Sequence, residues 1–402
     1  MQTEAVNILS SQQLFLRRCF DLAVKGLGAC SPNPLVGSLI VSGNSRIIGE
    51  GWHQKYGAAH AEVNAVASVK PEDKPLIRQS TLYVSLEPCA HFGKTPPCVD
   101  LILREQIPHV VIAYKDPFPE VAGKSIQKLR EQGVKVEVFH QNTIQKNSFA
   151  DRDPLSTGLL WREGGKEGEV HMSLKPFFVN VQLNRPYIIL KWAESADGFM
   201  GKMHEAIPIS NAYSKRLVHK WRSEVDAILV GTNTASLDNP ELTTRYYFGK
   251  SPLRVVLDKK GRLPKHLKLF DGSVQTLIYT AQRTSLEGEG TGNDPKWIKQ
   301  ENREDIPIEY CPISFDGDLL KNMCADLWRR KIGILLVEGG SQILNHFITQ
   351  GLWDEARVFK SSETLSLDNS NEVGVEAPIL PHQVPNRILT LDDNWLYIFK
   401  NP

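Results

Sequence analysis

The sequence predicts an α/β protein of two domains. Short apolar strands alternate with amphipathic helices between residues 12 and 139, and the same alternation resumes after Arg185. Between the two regions, residues 147 to 173 are Gly-rich and charged with no apolar period, as in Arg162-Glu163-Gly164-Gly165-Lys166-Glu167-Gly168-Glu169, and read as a linker or insertion. A length of 402 residues suits two or three domains, each with its own core. The expected division is a first domain over 1–146, a linker over 147–173 and a second domain over 174–402.

Gln12 to Lys25 carries Leu14, Phe15, Cys19, Leu22 and Ala23 at helical spacing and should end near Gly26. Leu35 to Val41 and Arg46 to Trp52 form a hairpin around Ser42-Gly43-Asn44. Helices follow at His60 to Val69, Cys98 to Gln106 and Ala122 to Gln132, interleaved with strands at Thr81 to Leu86, His109 to Tyr114 and Val134 to Phe139. That order makes a mixed sheet flanked by helices. In the second domain the strands are Arg185 to Ala193, Asp226 to Val230, Leu253 to Asp258, Val274 to Thr280 and Ile332 to Val337, with helices at Ser210 to Arg222 and Gln342 to Gln350.

Composition narrows the function. Charged residues make up 23%, hydrophobic residues 41%, and the net charge is +1, so no general attraction to nucleic acid or membrane is implied. The polar start of the chain lacks a signal-peptide core, and no apolar run reaches roughly 18 residues, which predicts a cytoplasmic protein. Six cysteines are too sparse for a disulfide framework.

Only Cys89 and Cys98 have a metal-like context. His60 and these two thiols supply three zinc ligands with a fourth position left open, and Glu62, two residues from the His, can carry protons beside them. Zinc nucleobase deaminases combine H-x-E with P-C-x-x-C, whereas here eight residues separate the cysteines. Gly93, Pro96 and Pro97 provide a loop of that length. Pro97 suits a first helical position, so a helix N-terminus is expected to lower the Cys98 thiol pKa. The plainer alternative is two buried thiols and a surface His. Asn33, in a Pro-bracketed loop, could pair with a pyrimidine edge, and His53, His91 and Lys94 could meet a phosphate; each could equally be a solvated loop residue. Val337-Glu338-Gly339-Gly340-Ser341 leads from strand to helix, where backbone N–H groups can hold a phosphate, though a Gly-Gly turn is often only a tight connection. No G-x-G-x-x-G follows a strand, so a Rossmann domain is not indicated.

Ser31-Pro32-Asn33-Pro34-Leu35-Val36-Gly37, His60-Ala61-Glu62-Val63 and Leu86-Glu87-Pro88-Cys89-Ala90-His91 through Pro96-Pro97-Cys98 closely resemble the bifunctional deaminase-reductases of riboflavin biosynthesis. Leu190-Lys191-Trp192-Ala193, Gly231-Thr232-Asn233-Thr234, Leu237-Asp238-Asn239-Pro240-Glu241-Leu242-Thr243-Thr244-Arg245 and Val337-Glu338-Gly339-Gly340 resemble that family's reductase domain. The likeness covers most of the chain and includes the long Cys spacing. It implies a cytidine-deaminase-like three-layer α/β/α domain that binds Zn²⁺, followed by a dihydrofolate-reductase-like domain that uses NADPH.

By the same resemblance, zinc is held by His60, Cys89 and Cys98 with Glu62 as acid/base, and Asn33, His53, His91 and Lys94 meet the substrate. In the reductase, Lys191 and Glu338 are catalytic, and Arg222, Leu242, Arg245 and Glu338 touch substrate. Ala193, Pro208, Thr234, Asp238, Gly340, Ser341 and Gln342 face the cofactor. One departure stands out: the family usually has a Trp where this chain has Pro208, and a Ser where it has Ala206. Cofactor and substrate contacts there should therefore differ.

The implied reactions are hydrolytic deamination of 2,5-diamino-6-(5-phosphoribosylamino)pyrimidin-4(3H)-one and NADPH-dependent reduction of the ribosyl chain, giving 5-amino-6-(5-phosphoribitylamino)uracil. The partner is a phosphorylated pyrimidine, with neither nucleic acid nor membrane involved, and a homo-oligomer is expected. Two alternatives remain: a nucleotide or tRNA deaminase with a non-catalytic C-terminal binding domain, and a regulatory protein holding zinc structurally. Glu62 speaks against the last, because a closed structural site needs a fourth ligand rather than a spare carboxylate.

Overall fold

The computed structural model describes residues 10–43, 45–93, 95–118, 121–139, 171–203, 205, 207–281, 298–299, 308–365, 373–381 and 383–401. The chain divides into two compact units, Met1–Asn184 and Arg185–Pro402.

The first unit contains α1 (Ser11–Ala23), β1 (Gly37–Val41), β2 (Ile47–Trp52), α2 (Ala61–Ala67), β3 (Thr81–Leu86), α3 (Cys98–Arg104), β4 (His109–Tyr114), α4 (Lys124–Glu131), β5 (Lys135–Val138) and α5 (Lys175–Leu183). The strands lie in the order β2-β1-β3-β4-β5, with β1 antiparallel to β2 and β3, and with β3, β4 and β5 parallel. Alternation along each strand sorts the residues into two cores. Ile40, Leu82, Val84, Val110 and Ile112 pack with Ala65 of α2, Val99 and Ile102 of α3, and Ile126 and Leu129 of α4. Leu39, Val41, Tyr83 and Val111 face the other way, onto Leu16 and Phe20 of α1 and Phe177 of α5. The result is the expected three-layer α/β/α arrangement.

The placement of α5 corrects the sequence-based boundary. Leu174 and Phe177 complete the core beneath α1, so this helix belongs to the first unit and the second opens at Arg185, not Leu174. Helical period says that a face is buried but not which core buries it.

The lead-in to α5 carries a titratable lock. The His171 ring stacks on Phe20 at 3.9 Å, its Nδ1 lies 2.9 Å from Ser173 Oγ, and its backbone N–H donates to Tyr114 Oη at 3.0 Å. Burial pushes its pKa down to about 4. A histidine whose folded pKa is depressed binds its proton first in the unfolded chain, so its neutral packing is undisturbed above about pH 6.5 and loses on the order of 3 kcal/mol as pH falls toward 4. Urea midpoints at about pH 7 and pH 4 should therefore fall further for the wild type than for His171→Gln. Equal falls would refute the assignment.

The second unit contains β6 (Tyr187–Glu194), β7 (Phe199–Lys202), α6 (Ala212–Glu224), β8 (Ala227–Gly231), α7 (Thr232–Asp238), β9 (Leu253–Leu257), β10 (Thr276–Thr280), β11 (Ile298–Lys299) and β12 (Ile308–Pro312). It continues with α8 (Leu319–Arg329), β13 (Ile334–Val337), α9 (Ser341–Thr349), β14 (Glu355–Ser361), β15 (Gly374–Glu376), β16 (Arg387–Leu391) and β17 (Asn394–Lys400). Among the described residues it forms a ten-stranded sheet, ordered β11-β12-β10-β9-β8-β13-β6-β14-β17-β16. The run from β12 to β14 is parallel, and β11, β17 and β16 add antiparallel edges. Ile188, Leu190, Leu229, Val255, Leu277 and Leu335 form a core with Met323 and Leu327 of α8 and Leu344 and Phe347 of α9.

Candidate active sites

In the first unit, two bare glycines place the ligand helix. A Cβ on Gly51 would sit 2.2 Å from Ala65 N and 2.4 Å from Ala61 O, and one on Gly49 would sit 2.4 Å from Ala65 O. α2 therefore lies directly on the backbone of β2. This contact fixes His60, the extended N-cap residue of α2, and Glu62 in its first turn. Gly51→Ala should cost about 1–3 kcal/mol through overpacking and should lower zinc content as α2 is displaced. A melting curve and metal analysis matching the wild type would refute this.

Glu87 anchors the second half-site. This buried carboxylate at the end of β3 accepts from Asp116 N at 3.2 Å, Gly123 N at 3.0 Å and Ser125 Oγ at 2.6 Å. The turn into Pro88-Cys89 is thereby tied to the start of α4. Sequence reading quotes Glu87 only as part of a motif, since its donors lie about thirty or more residues away.

His60 Nδ1 lies 3.2 Å from Cys98 Sγ and 3.5 Å from Cys89 Sγ, and all three donor atoms lie within 4.8 Å of one another. Bonds of about 2.3 Å to sulfur and 2.0 Å to nitrogen put neighbouring tetrahedral ligands roughly 3.5 Å apart, so the donor set fits zinc. Thr95 Oγ1, 3.4 Å from His60 Nε2, suits a proton there and leaves Nδ1 toward the thiols.

The thiol electrostatics differ from the sequence expectation. The N–H of Cys98 at the start of α3 points to Cys89 Sγ at 3.3 Å rather than to its own sulfur. Cys89 is pushed down to about 4, chiefly by hydrogen bonding from Cys98, while Cys98 is driven up because it holds the proton between the two sulfurs. The Cys98 thiol is thus the main cause of the Cys89 acidity, and the helix N-terminal N–H adds to it in a smaller measure. Glu62 is buried and pushed up to about 6, first by burial and then by the Cys89 charge.

His53 is also buried, with Nδ1 3.1 Å from Ala59 O and Nε2 3.1 Å from Asn33 Nδ2. The carbonyl requires an Nδ1–H, so Nε2 accepts from the Asn33 amide and leaves the Asn33 oxygen to take a donor. His91 is exposed on the loop between the thiols, and Lys94 lies outside the described residues.

The second unit gathers its candidates at the C-terminal ends of β6, β8 and β13. Arg222 of α6 grips Glu338 through Nε and Nη2, both at 2.9 Å, and donates from Nη1 to Thr243 O at 3.1 Å. Lys191 Nζ on β6 lies 3.8 Å from the same carboxylate. Burial would raise the Glu338 pKa, but Arg222 and Lys191 overcome it and hold the group at about 2. Burial also lowers Lys191, with Glu338 opposing and Arg222 adding to the fall. The Arg222 fork, expected to meet substrate, is thus largely engaged by Glu338.

Arg245 pairs with Glu241, which also accepts from Lys268 Nζ at 3.0 Å. Leu242 is buried at φ 54°, a left-handed conformation unusual for a leucine. His219, absent from the sequence candidates, accepts the Arg245 N–H at Nδ1.

β13 ends in Gly339-Gly340. A Cβ on Gly339 would sit 2.7 Å from Val230 Cα, and Gly340 has φ 54° with Thr234 Oγ1 3.1 Å from where its Cβ would lie. α9 then starts at Ser341, next to the C-terminal end of β8 and the start of α7. This bare cradle at a helix N-terminus fits a dinucleotide phosphate. Ser341 Oγ donates to Glu376 O at 2.8 Å, so its backbone rather than its hydroxyl is left for such a group. Ala193 lies on β6, Gln342, Asp238 and Pro208 are exposed, and Ala206 lies outside the described residues.

Comparisons with known proteins agree with both halves. Residues 9–114 match the cytidine and deoxycytidylate deaminase zinc-binding region, and residues 186–365 match the RibD C-terminal domain. The riboflavin biosynthesis protein RibD of Aquifex aeolicus is 33% identical over 86% of this chain and 85% of its own length. This chain belongs to the RibD family. A second RibD, from Chlamydia pneumoniae, is 33% identical over 94% of this chain and 91% of its own.

The structure of a diaminohydroxyphosphoribosylaminopyrimidine deaminase/5-amino-6-(5-phosphoribosylamino)uracil reductase from Thermotoga maritima superposes with a TM-score of 0.75 at 29% identity, covering 98% of this chain and 99% of the other. Acinetobacter baumannii RibD gives 0.76 at 25% identity, with the same coverage. Like the RibD family, this chain is a bifunctional riboflavin biosynthesis enzyme, a zinc-dependent deaminase and an NADPH-dependent reductase. The RibD match over 186–365 disfavours a non-catalytic C-terminal domain. Among the described residues no helix is long and apolar enough to cross a membrane.

Proposed function

We propose that the two sites act in turn on one phosphorylated aminopyrimidine in the cytoplasm, with the chain as a homo-oligomer. The first removes the ring amine of 2,5-diamino-6-(5-phosphoribosylamino)pyrimidin-4(3H)-one, consuming water and releasing ammonia. The second reduces the ribosyl chain, giving 5-amino-6-(5-phosphoribitylamino)uracil. The observation that carries the reading is a proton carrier beside each half-reaction's site: buried Glu62 at the His60, Cys89 and Cys98 donors, and Lys191, its side chain 15% exposed, on Glu338 near the Gly340 cradle.

His60, Cys89 and Cys98 would hold zinc, which would supply the Lewis acidity that makes water nucleophilic. Glu62 would take one proton from the attacking water and pass it to the ring nitrogen, then take the second from the new hydroxyl and pass it to the departing amine, for which a pKa near 6 is suited. Asn33, oriented by His53, accepts a ring N–H at its free oxygen. Gly340, Ser341 and Gln342 would hold NADPH, with Ala193, Thr234, Asp238 and Pro208 beside it, and the cofactor would supply the hydride. Lys191, with a lowered pKa, gives the accompanying proton to the opening sugar, so two hydrogens are added in all. Glu338 holds Lys191, Arg222 orients Glu338, and Leu242 and Arg245 line the substrate. His91 and Lys94 are assigned to the substrate phosphate by the family resemblance alone.

The test is the product spectrum of the full chain with and without NADPH. Without it, ammonia and the unreduced uracil should accumulate; with it, the ribityl product should form with matching NADPH oxidation. Failure to oxidise NADPH when the deaminated compound is supplied would overturn the second half.

A further inference from the structure

His219 lies one turn before Arg222 on α6 and is almost fully buried, and it has no part in the chemistry above. Its Nδ1 accepts the Arg245 N–H at 2.9 Å, so the ring proton of the neutral imidazole sits on Nε2. Among the described residues Nε2 has no hydrogen-bond partner, yet it is not one of the sealed side-chain atoms left without one. It therefore keeps some exposure while the residue as a whole is 4% exposed. The ring stands edge-on to Tyr246 at 4.7 Å, and the Arg245 guanidinium lies 5.7 Å from that same aromatic ring. Arg222, Arg245 and Lys191 lie near it, with Glu338 opposing their effect, and burial together with the two arginines holds its pKa at about 4. With Nδ1 accepting, the neutral imidazole can only donate from Nε2, and beside two arginines an anionic oxygen is the acceptor that forms the stronger, charge-assisted bond.

We propose that His219 is a substrate-binding residue of the reductase, its Nε2–H donating to a phosphate oxygen of the substrate between Arg222 and Arg245. This rests on the reductase reading above. The contrasting role is purely structural, with Nδ1 anchoring the Arg245-Tyr246 segment and Nε2 idle. Two substitutions separate them. An Asn side-chain oxygen can stand in for Nδ1 and keep the Arg245 N–H bond but offers nothing at the ε position, whereas a Gln amide nitrogen reaches the ε position.

With the full chain, His219→Asn should raise the KM for the deaminated substrate about tenfold or more, the scale of one hydrogen bond to a charged group, with little change in kcat or NADPH KM. His219→Gln should stay within about threefold of the wild type. Calorimetric affinity for ribose 5-phosphate, measured without NADPH, should follow the same order. A normal KM and affinity in His219→Asn, or equal loss in both variants, would overturn the proposal. If the wild type oxidises no NADPH but ribose 5-phosphate affinity still falls for Asn and recovers for Gln, the binding role stands and the reductase reading fails. If neither variant nor wild type binds ribose 5-phosphate, the binding role fails.

Discussion

Glu62→Gln should retain its zinc and release ammonia roughly 10²-fold or more slowly than the wild type, the usual scale for general acid–base catalysis. Gln has the shape of the carboxylate it replaces and leaves the three ligand atoms untouched, but it cannot take up a proton from water. The position gives that loss its full weight: Glu62 is buried in the first turn of α2, so bulk water cannot readily replace it. Ammonia release and metal analysis on the same preparation provide the check. A normal rate with zinc in place would remove Glu62 from the mechanism, while loss of zinc would show that it supports the ligands instead.

Glu338→Gln should nearly silence reduction, with kcat down by about 10²-fold, and should destabilise the second unit by about 3 kcal/mol. The carboxylate offsets two cations at once, Arg222 and Lys191, whose side chains are only 11% and 15% exposed. An uncharged amide would leave these two facing each other, driving Lys191 further below its ordinary pKa and releasing the Arg222 fork. The sign of the pH dependence follows from the depressed pKa of about 2. This contribution is present above the unfolded carboxylate value of about 4.5 and disappears as pH falls toward 2, so acid should narrow the gap between variant and wild type. NADPH oxidation that keeps an intact kcat but needs a raised substrate KM would instead make Glu338 a binding group. Zinc content reports on the other unit and should not change.

The deaminase half was legible because its chemistry is local. His60 and Glu62 share one turn, Cys89 and Cys98 end one loop, and the strands Thr81–Leu86 and His109–Tyr114 fall where their apolar runs place them. What escaped notice depends on partners distant in sequence. Glu87 looks like any charged residue until Gly123 and Ser125 arrive to satisfy it. β14 carries Glu355 and Arg357 on a buried face, which breaks the apolar signature of a strand. The pair is tolerated because the two residues bind each other at 2.6 Å, and because Tyr187 and Lys400 donate to the same carboxylate. The same holds for Gly49 and Gly51, whose need appears only once α2 is laid across β2.

The packing of α5 decides where the two enzymes can be separated. A reductase produced alone from Leu174 onward would carry Leu174 and Phe177 as an uncovered greasy face, and would leave a matching hole beneath Phe20 in the deaminase. Both products would invite aggregation. Cutting after Asn184 instead leaves the helix with its own core, and the reductase begins at Arg185, whose guanidinium clamps Asp354 at 2.6 and 2.9 Å within the same unit.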